Sequence, residues 1–288
     1  MRGSLMGVIV AALMAAGATV AAQSSPGVPR PKPGDVTGML FEVGNSMGML
    51  RSPNRTRRVE DSIATLELWA KGTMTVNGQT SDIPAYRLSV NYVTHGFRED
   101  IMRTTGTTKA REVRVVGQGF AWNETAPGVN PSAAPSQAVR ERLVQYWTTP
   151  FGIYKAAAAA GDKARVTAEG ANTILTFPLP APVSDVTVRA TLNTDRKHLI
   201  VKHDLEMKDL VGTYILRAQT TGIVTDTTYA EYGDWNWDDY RSDVMLPRRI
   251  TQRRADGTVL DLTITNTNTY NPYVIMPVPA AIRTASTK

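Results

Sequence analysis

Histidines and acidic side chains are the residues of this chain whose types could do catalytic or metal chemistry. The 288-residue chain has three histidines, His95, His198 and His203, and no cysteine. His198 and His203 are five residues apart, so on a strand they would face opposite sides and could not bind one ion. The sequence therefore offers neither a thiol nucleophile nor a zinc cluster of the usual spacing. We predict no catalytic residue, no metal and no cofactor.

One acidic series partly matches a calcium-binding loop. Asp234, Asn236 and Asp238 occupy positions one, three and five of the loop pattern. The match then fails, because Asp239 replaces the required glycine and Met245 stands where a bidentate glutamate is needed. We therefore interpret this segment as an exposed hairpin loop.

The elements that could position a site begin with a helical stretch, residues 117–161, which lies between two strand-rich parts of the chain. Ser136 is predicted to cap a first helix that ends near Thr149. Its outward side carries Arg140 and Glu141. Its apolar stripe consists of Val139, Leu143, Val144 and Trp147.

A second helix is predicted directly after the first. Thr149 supplies a capping hydroxyl and Pro150 a proline at the first helical position. The alanine run 156–160 propagates the helix, and Gly161 ends it. Its first turn carries the bulky side chains Phe151, Ile153 and Tyr154.

Period-two alternation predicts an antiparallel sheet around the helical stretch. Strand 65–76 is followed by Asn77-Gly78, which favours a tight hairpin, and by a strand with Tyr86, Leu88, Val90 and Tyr92 on one face. Other strands are predicted at 97–104, 112–122, 164–167, 173–177, 186–192, 199–207, 214–225, 245–252 and 260–264. About ten strands, each with one polar face, favour a mainly β (α+β) fold: a strongly curved antiparallel sheet, or incomplete β-barrel, with helices on its concave face.

The amino-terminal residues have the pattern of a secretory signal peptide. Arg2 precedes an apolar run from Leu5 to Val20, and small residues follow it. We expect a signal peptide over 1–22, a proline-rich mobile lead-in over 23–35 and one domain over 36–288. No later run approaches the roughly 18 apolar residues of a transmembrane helix, and no cysteine is available for lipid attachment. The expected location is the periplasm or the medium, as a soluble protein that is not a lipoprotein.

The net charge of +6 raises the question of nucleic acid. The basic clusters, residues 55–58 and 248–254, are not interleaved with stacking aromatic residues. We interpret them as solvated faces, with an anionic surface or lipid headgroup as the alternative partner. Nucleic acid is not expected to bind.

Four segments carry a resemblance to a known family: residues 85–105, GFAWNE (119–124), RERLVQYWTTPFGIYKAAAAAG (140–161) and residues 245–272. They resemble the non-catalytic N-terminal domain that precedes some bacterial exported metallo-β-lactamase-fold hydrolases. That domain is similar in plan to the periplasmic lipoprotein-carrier (LolA/LolB-like) superfamily. The resemblance covers most of residues 36–284 and implies an incomplete β-barrel closed by helices over a hydrophobic cavity. The hydrolase motif His-x-His-x-Asp-His is absent from this sequence.

Two functions of different class fit these observations. The first is an exported, non-enzymatic binding protein that holds an acyl chain, a lipid or a lipidated partner between the concave sheet and a helical lid. Its candidate ligand-binding residues are Phe151, Ile153, Tyr154, Leu88, Val90 and Tyr92. The second is a non-catalytic interaction or scaffold module with a filled core, which serves a separately encoded hydrolase or an envelope protein. An empty apolar cavity would favour the first function, and tightly interdigitated side chains the second.

Overall fold

Four α-helices, one short 3-10 helix (Gly161–Lys163) and thirteen strands make up the regular structure of the described part of the chain. The computed structural model describes residues 34–50, 58–170, 172–192, 216–220, 225–235, 244–255 and 257–285. The helices are α1 (Val36–Ser46), α2 (Gln137–Trp147), α3 (Gly152–Ala160) and α4 (Ala280–Ala285). The strands are β1 (Thr65–Val76), β2 (Gln79–Asn91), β3 (Gly96–Thr105), β4 (Thr108–Gly117), β5 (Phe120–Glu124), β6 (Ser132–Ala133), β7 (Arg165–Glu169), β8 (Asn172–Pro178), β9 (Thr187–Leu192), β10 (Leu216–Thr220), β11 (Thr225–Asp234), β12 (Met245–Arg254) and β13 (Gly257–Asn268).

Several sequence predictions fall outside the described residues. They are the signal peptide 1–22, most of the lead-in, the strand 199–207, His198, His203 and residues 236–239 of the segment that partly matches a calcium-binding loop. Within the described ranges, no helix is long and apolar enough to cross a membrane.

The thirteen described strands form one antiparallel sheet. Nine of them follow the order β6-β5-β4-β3-β2-β1-β13-β12-β11, and β10 continues from β11 to β9-β8-β7. β1 and β13 pair in the middle, where Ala70 lies opposite Ile264. β6 and β7 are the two edge strands, so the described strands do not close into a barrel. The predicted mainly β, antiparallel fold is confirmed, but the estimate of about ten strands was too low.

The additional strands arise from turns that the prediction missed. Residues 112–122 were predicted as one strand, but they form part of a hairpin, because the chain reverses between β4 and β5. Gln118 and Gly119 have φ values of 53° and 82°, and two successive positive values are what a type I′ turn requires. The predicted hairpin at Asn77 and Gly78 has the same geometry, with φ values of 52° and 76°. Strand β11 was also not predicted.

The helical stretch forms two helices, but neither uses its predicted cap. Ser136 already has helical dihedrals (φ −55°, ψ −37°) and makes no capping hydrogen bond, whereas a cap residue needs an extended backbone. Thr149 does not cap α3, which begins at Gly152. The Thr149 hydroxyl instead donates to the Tyr146 carbonyl oxygen at 2.8 Å. Gly161 follows α3 with a φ of 56°, so the predicted helix end is confirmed.

Different parts of the chain cover the two faces of the sheet. The helix face packs against α1, α2 and α3 and includes Leu66, Leu68 and Leu88. On the outer face, the C-terminal segment (residues 271–285) packs over β4 and β5. Its side chains Val274, Met276, Val278 and Ile282 form a second cluster with Val113, Val115 and Trp122.

The C-terminal segment also contacts β1 and β2. Glu67, on the face predicted to be polar, is only 2% exposed. Its carboxylate accepts hydrogen bonds from Asn271 (2.8 Å) and Arg87 (2.5 Å). Asn91 donates to the Val274 carbonyl oxygen at 2.8 Å. The C-terminal segment therefore covers this part of the outer face and buries polar side chains there.

Candidate functional site

The six residues predicted to bind a ligand lie together beneath the helices. Leu88 and Val90 belong to β2 and Tyr92 follows it, whereas Phe151 precedes α3 and Ile153 and Tyr154 lie in its first turn. All six belong to one buried cluster, and none is more than 7% exposed. The structure thus brings the predicted residues together. Their role in ligand binding stays a prediction.

Alternation along β2 and small residues on α3 explain why these side chains meet. Successive side chains of a strand point to opposite faces, so Leu88, Val90 and Tyr92 all point towards the helices. On α3, Ala156 and Ala157 are fully buried, and α3 contacts β8. Alanine leaves room for this close approach, and the bulky side chains are confined to the first turn of α3.

Tyrosine hydroxyls fix the helix break, residues 148–151, to the sheet. The Tyr92 hydroxyl donates to Thr149 Oγ1 over 2.8 Å, since the Thr149 hydrogen is used on Tyr146. From the other half of the sheet, the Tyr229 hydroxyl donates to the Thr148 carbonyl oxygen. Burial raises the pKa of Tyr92 and of Tyr229 above the ordinary tyrosine value. Both groups therefore remain neutral hydrogen-bond donors at physiological pH.

His95 belongs to an aromatic group beside the helix break. Its ring lies 5.7 Å from the Tyr146 ring and 5.4 Å from the Trp147 ring, measured between centroids. Burial lowers the pKa of His95, so the imidazole is neutral at pH 7. Within the described residues, no three His, Asp or Glu side chains are grouped so that they could hold a metal ion.

Lys155 is a buried cation that the sequence analysis did not single out. Its Nζ donates to the carbonyl oxygens of Glu60 (2.9 Å), Val59 (3.3 Å) and Ser62. It also lies 5.2 Å from the centre of the Tyr92 ring. Burial lowers the pKa of Lys155 to about 8. Because its three acceptors lie in residues 59–62, Lys155 joins α3 to the segment that precedes β1. These contacts indicate a structural role.

We expect this lysine to make stability depend on pH. The folded chain loses the Lys155 proton near pH 8, whereas the unfolded chain keeps it up to about pH 10.5. Between these values the unfolded chain binds more protons, so the free energy of unfolding rises with pH, by about 3 kcal/mol at most. Urea denaturation of the parent and of Lys155→Met at pH 7.5, 9 and 10 measures this difference. A parent-minus-variant difference that stays flat or falls contradicts the expectation.

A charged row crosses the helix face beyond the apolar region; it consists of Glu99, Arg103, Glu112 and Arg114. Tyr86 donates to Glu99 Oε1 over 2.7 Å, and Arg114 lies 4.0 Å from the other Glu99 oxygen. Glu112 accepts from Arg114 (2.7 Å) and from Arg103 (3.2 Å). The helix face therefore changes from apolar beneath the helices to charged towards the β3–β4 hairpin.

Comparison with known proteins assigns the chain to no family. No protein-family model matches the sequence, and no curated protein is significantly similar to it. The features that bear on function are therefore those of the molecule itself: an antiparallel sheet, a helical connection between its two edge strands and a buried tyrosine-rich interior.

Proposed function

We propose that this protein is an exported carrier that binds the apolar chain of a lipid or lipidated molecule between the helix face and helices α2 and α3. The observation that carries this proposal is the composition of the interior. Six of the ten tyrosines of the chain lie in the helix-face cluster: Tyr86, Tyr92, Tyr146, Tyr154, Tyr229 and Tyr232. Ligand sites combine apolar and aromatic walls with a few polar groups such as tyrosine hydroxyls. Packing alone does not require hydroxyls, each of which needs a buried partner.

The path of the chain supports a sheet that curves around the helices. α2 and α3 lie in the connection between the edge strands β6 and β7. Thirteen strands would make a flat sheet about 58 Å wide. The helices, of 11 and 9 residues, are only about 16 Å and 14 Å long. Two helices of this length could not connect the opposite edges of a flat sheet of that width. We infer that the strands bend into an incomplete barrel with the helices on its concave face, the plan that the resemblance to lipoprotein carriers implies.

In this proposal, the described conformation is the closed form. The candidate residues fill the space beneath the helices, so an incoming chain has to displace the helix break from the sheet. Each tyrosine hydrogen bond to the break stabilises the closed form by about 1 kcal/mol. Burial of an acyl chain contributes about 0.8 kcal/mol per methylene. A chain of about ten methylenes would therefore offset the loss of both hydrogen bonds several times over.

The double variant Tyr92→Phe/Tyr229→Phe tests this proposal. Without the two hydroxyls, we expect the free energy of unfolding to fall by about 2 kcal/mol. The affinity for the neutral apolar probe 1-N-phenylnaphthylamine should rise about threefold or more, because the closed form no longer competes as strongly with the binding-competent form. Urea denaturation and fluorescence titration measure the two quantities.

Tyr273→Phe is the matched control, since Tyr273 is 85% exposed; it should change neither quantity. Saturable probe binding that strengthens only in the double variant supports the carrier. Absence of saturable binding in the parent and in the double variant overturns it.

A scaffold module is the second candidate function, and one observation favours it. Phe151, Ile153 and Val90 are completely buried, as expected of a filled core. A scaffold would lose stability in the Tyr92→Phe/Tyr229→Phe variant without any gain in probe binding. The same titration therefore distinguishes the two candidates.

A further inference from the structure

The helix face carries a groove at the turns of the β1–β2 and β3–β4 hairpins, where Arg103 of the charged row forms part of the lining. Its volume is about 290 Å³, close to the lower end of the range for small-molecule sites, about 300 Å³. Polar side chains dominate its lining: Asn77, Gln79, Ser81, Arg103, Thr105 and Thr108. Arg103 lies on the helix face because it follows the buried Ile101 by two residues on β3.

The groove is lined by hydrogen-bond donors of three kinds: one guanidinium, two side-chain amides and three hydroxyls. Arg103 Nε is buried and has no hydrogen-bond partner, although Arg103 Nη2 donates to Glu112 at 3.2 Å. Ser81 Oγ and Thr105 Oγ1 are 2.6 Å apart. Only one of these hydroxyls can donate to the other, so one hydroxyl hydrogen of the pair remains available. The residues that line the groove include no carboxylate.

We propose that this groove binds a phosphate group. A phosphate presents several acceptor oxygens, which match the guanidinium of Arg103 and the hydroxyls of Ser81, Thr105 and Thr108. Guanidinium groups suit phosphate because their N–H groups form a planar fork that matches its oxygens.

The position of the groove relates it to the proposed carrier function. Phe97, which belongs to the helix-face cluster, and Arg103 are both on β3, about 20 Å apart along the strand. One lipid molecule spans about half of a bilayer of about 40–45 Å, so a single phospholipid could reach from the groove to the helices. Assigning the phosphate to a lipid headgroup rests on the proposed function. The phosphate site itself does not depend on it.

Isothermal titration calorimetry with inorganic phosphate and with 1-oleoyl lysophosphatidic acid tests the inference. We expect Arg103→Gln to weaken the binding of both by at least about tenfold, the loss expected when a charge-assisted hydrogen bond is removed. Lys109→Gln is the control, because Lys109 is exposed and points away from the groove on β4, yet its loss changes the net charge equally. It should weaken binding less than about twofold.

Thr108→Val is a second variant, in an exposed position where the fold should tolerate it. It should weaken phosphate binding severalfold while leaving the urea midpoint unchanged. Tighter binding of the oleoyl ester than of inorganic phosphate identifies a lipid headgroup as the source, and equal affinities identify a free phosphate.

Two results overturn the phosphate site: no saturable phosphate binding by the parent, or equal weakening by Arg103→Gln and Lys109→Gln.

The neutral probe keeps this test separate from the carrier function. Arg103→Gln should leave the binding of 1-N-phenylnaphthylamine unchanged. A parent protein that binds phosphate but not the probe retains the phosphate site and loses the carrier.

Discussion

Replacement of Phe151 or of Trp147 by alanine is expected to lower the free energy of unfolding by about 3–5 kcal/mol. Phe151 is completely buried and Trp147 is 6% exposed; Trp147 ends α2 directly before the helix break, and Phe151 is the last residue of the break. Truncation of either side chain leaves a void between the helices and the sheet. Urea denaturation of ligand-free protein measures the loss.

Tyr273→Ala provides the control for this prediction, since it removes an aromatic side chain that is 85% exposed. It should change the free energy of unfolding by no more than about 0.5 kcal/mol. A cost for Phe151→Ala below about 1 kcal/mol would mean that the space beneath α3 is not packed in the ligand-free protein. In that case the described closed form is not the dominant one in solution.

Phe151→Ala also bears on the choice between a carrier and a scaffold. If Phe151 lined an open cavity in the ligand-free protein, its truncation would lower the free energy of unfolding only slightly. If Phe151 is packed in the closed form, the same truncation should lower it by several kcal/mol. A large cost together with saturable binding of the apolar probe by the parent indicates a carrier that closes when empty. A large cost without probe binding indicates a filled scaffold.

Local signals account for the parts of the fold that the sequence predicts well. The Asn77-Gly78 hairpin was predicted because two positive φ values suit asparagine and glycine. The apolar face of β1 was predicted from Leu66 and Leu68, since alternation along a strand depends only on near neighbours. The same local signal is present at Gln118-Gly119, within residues that were predicted as one continuous strand.

Contacts between distant parts of the chain account for what was missed. Lys155 follows Tyr154 on a helix and is followed by alanines, a context that does not distinguish a buried lysine from an exposed one. Its burial is visible only once residues 59–62 are placed beside α3. The Thr149 hydroxyl was assigned to a cap because its tertiary partner, Tyr92, is 57 residues away.

The charged row was not predicted for the same reason, since its hydrogen bonds join residues on neighbouring strands. Glu99 occupies an alternating position on β3, so its sequence context predicts only which face it shares with Phe97. Its hydrogen bond with Tyr86 joins neighbouring strands and appears only when their register is known. The candidate interior could therefore be predicted from apolar residues, whereas the polar groups around it could not.

The C-terminal segment illustrates a signal that was present and unused. Val274, Met276 and Val278 alternate with Ile275 and Pro277, which is the period expected when one side of an extended segment is buried. The prolines of this segment, Pro272, Pro277 and Pro279, disfavour a further strand. The segment pairs with none of the strands that the structure describes. It covers part of the outer face with one row of side chains, so the loss of one of these side chains should have a measurable effect.

Met276→Ala is expected to lower the free energy of unfolding by about 2–5 kcal/mol. Met276 is 5% exposed and belongs to the outer-face cluster with Trp122. It lies over two glycines of the sheet: a Cβ atom on Gly96 would be 2.8 Å from Met276 Sδ, and one on Gly117 would be 3.2 Å from the Met276 carbonyl oxygen. Loss of this side chain leaves a void directly against the strand backbones. Urea denaturation again gives the difference.

The neighbouring residue supplies the control, because Ile275 is 59% exposed and Ile275→Ala should cost no more than about 0.5 kcal/mol. Native-state hydrogen exchange adds the location of the effect. In Met276→Ala, amides of β4 and β5 should exchange faster through local opening, while amides of α3 and β8 change only with the global stability. Equal costs for the two variants, or equal acceleration throughout the sheet, would mean that the C-terminal segment does not hold this part of the outer face.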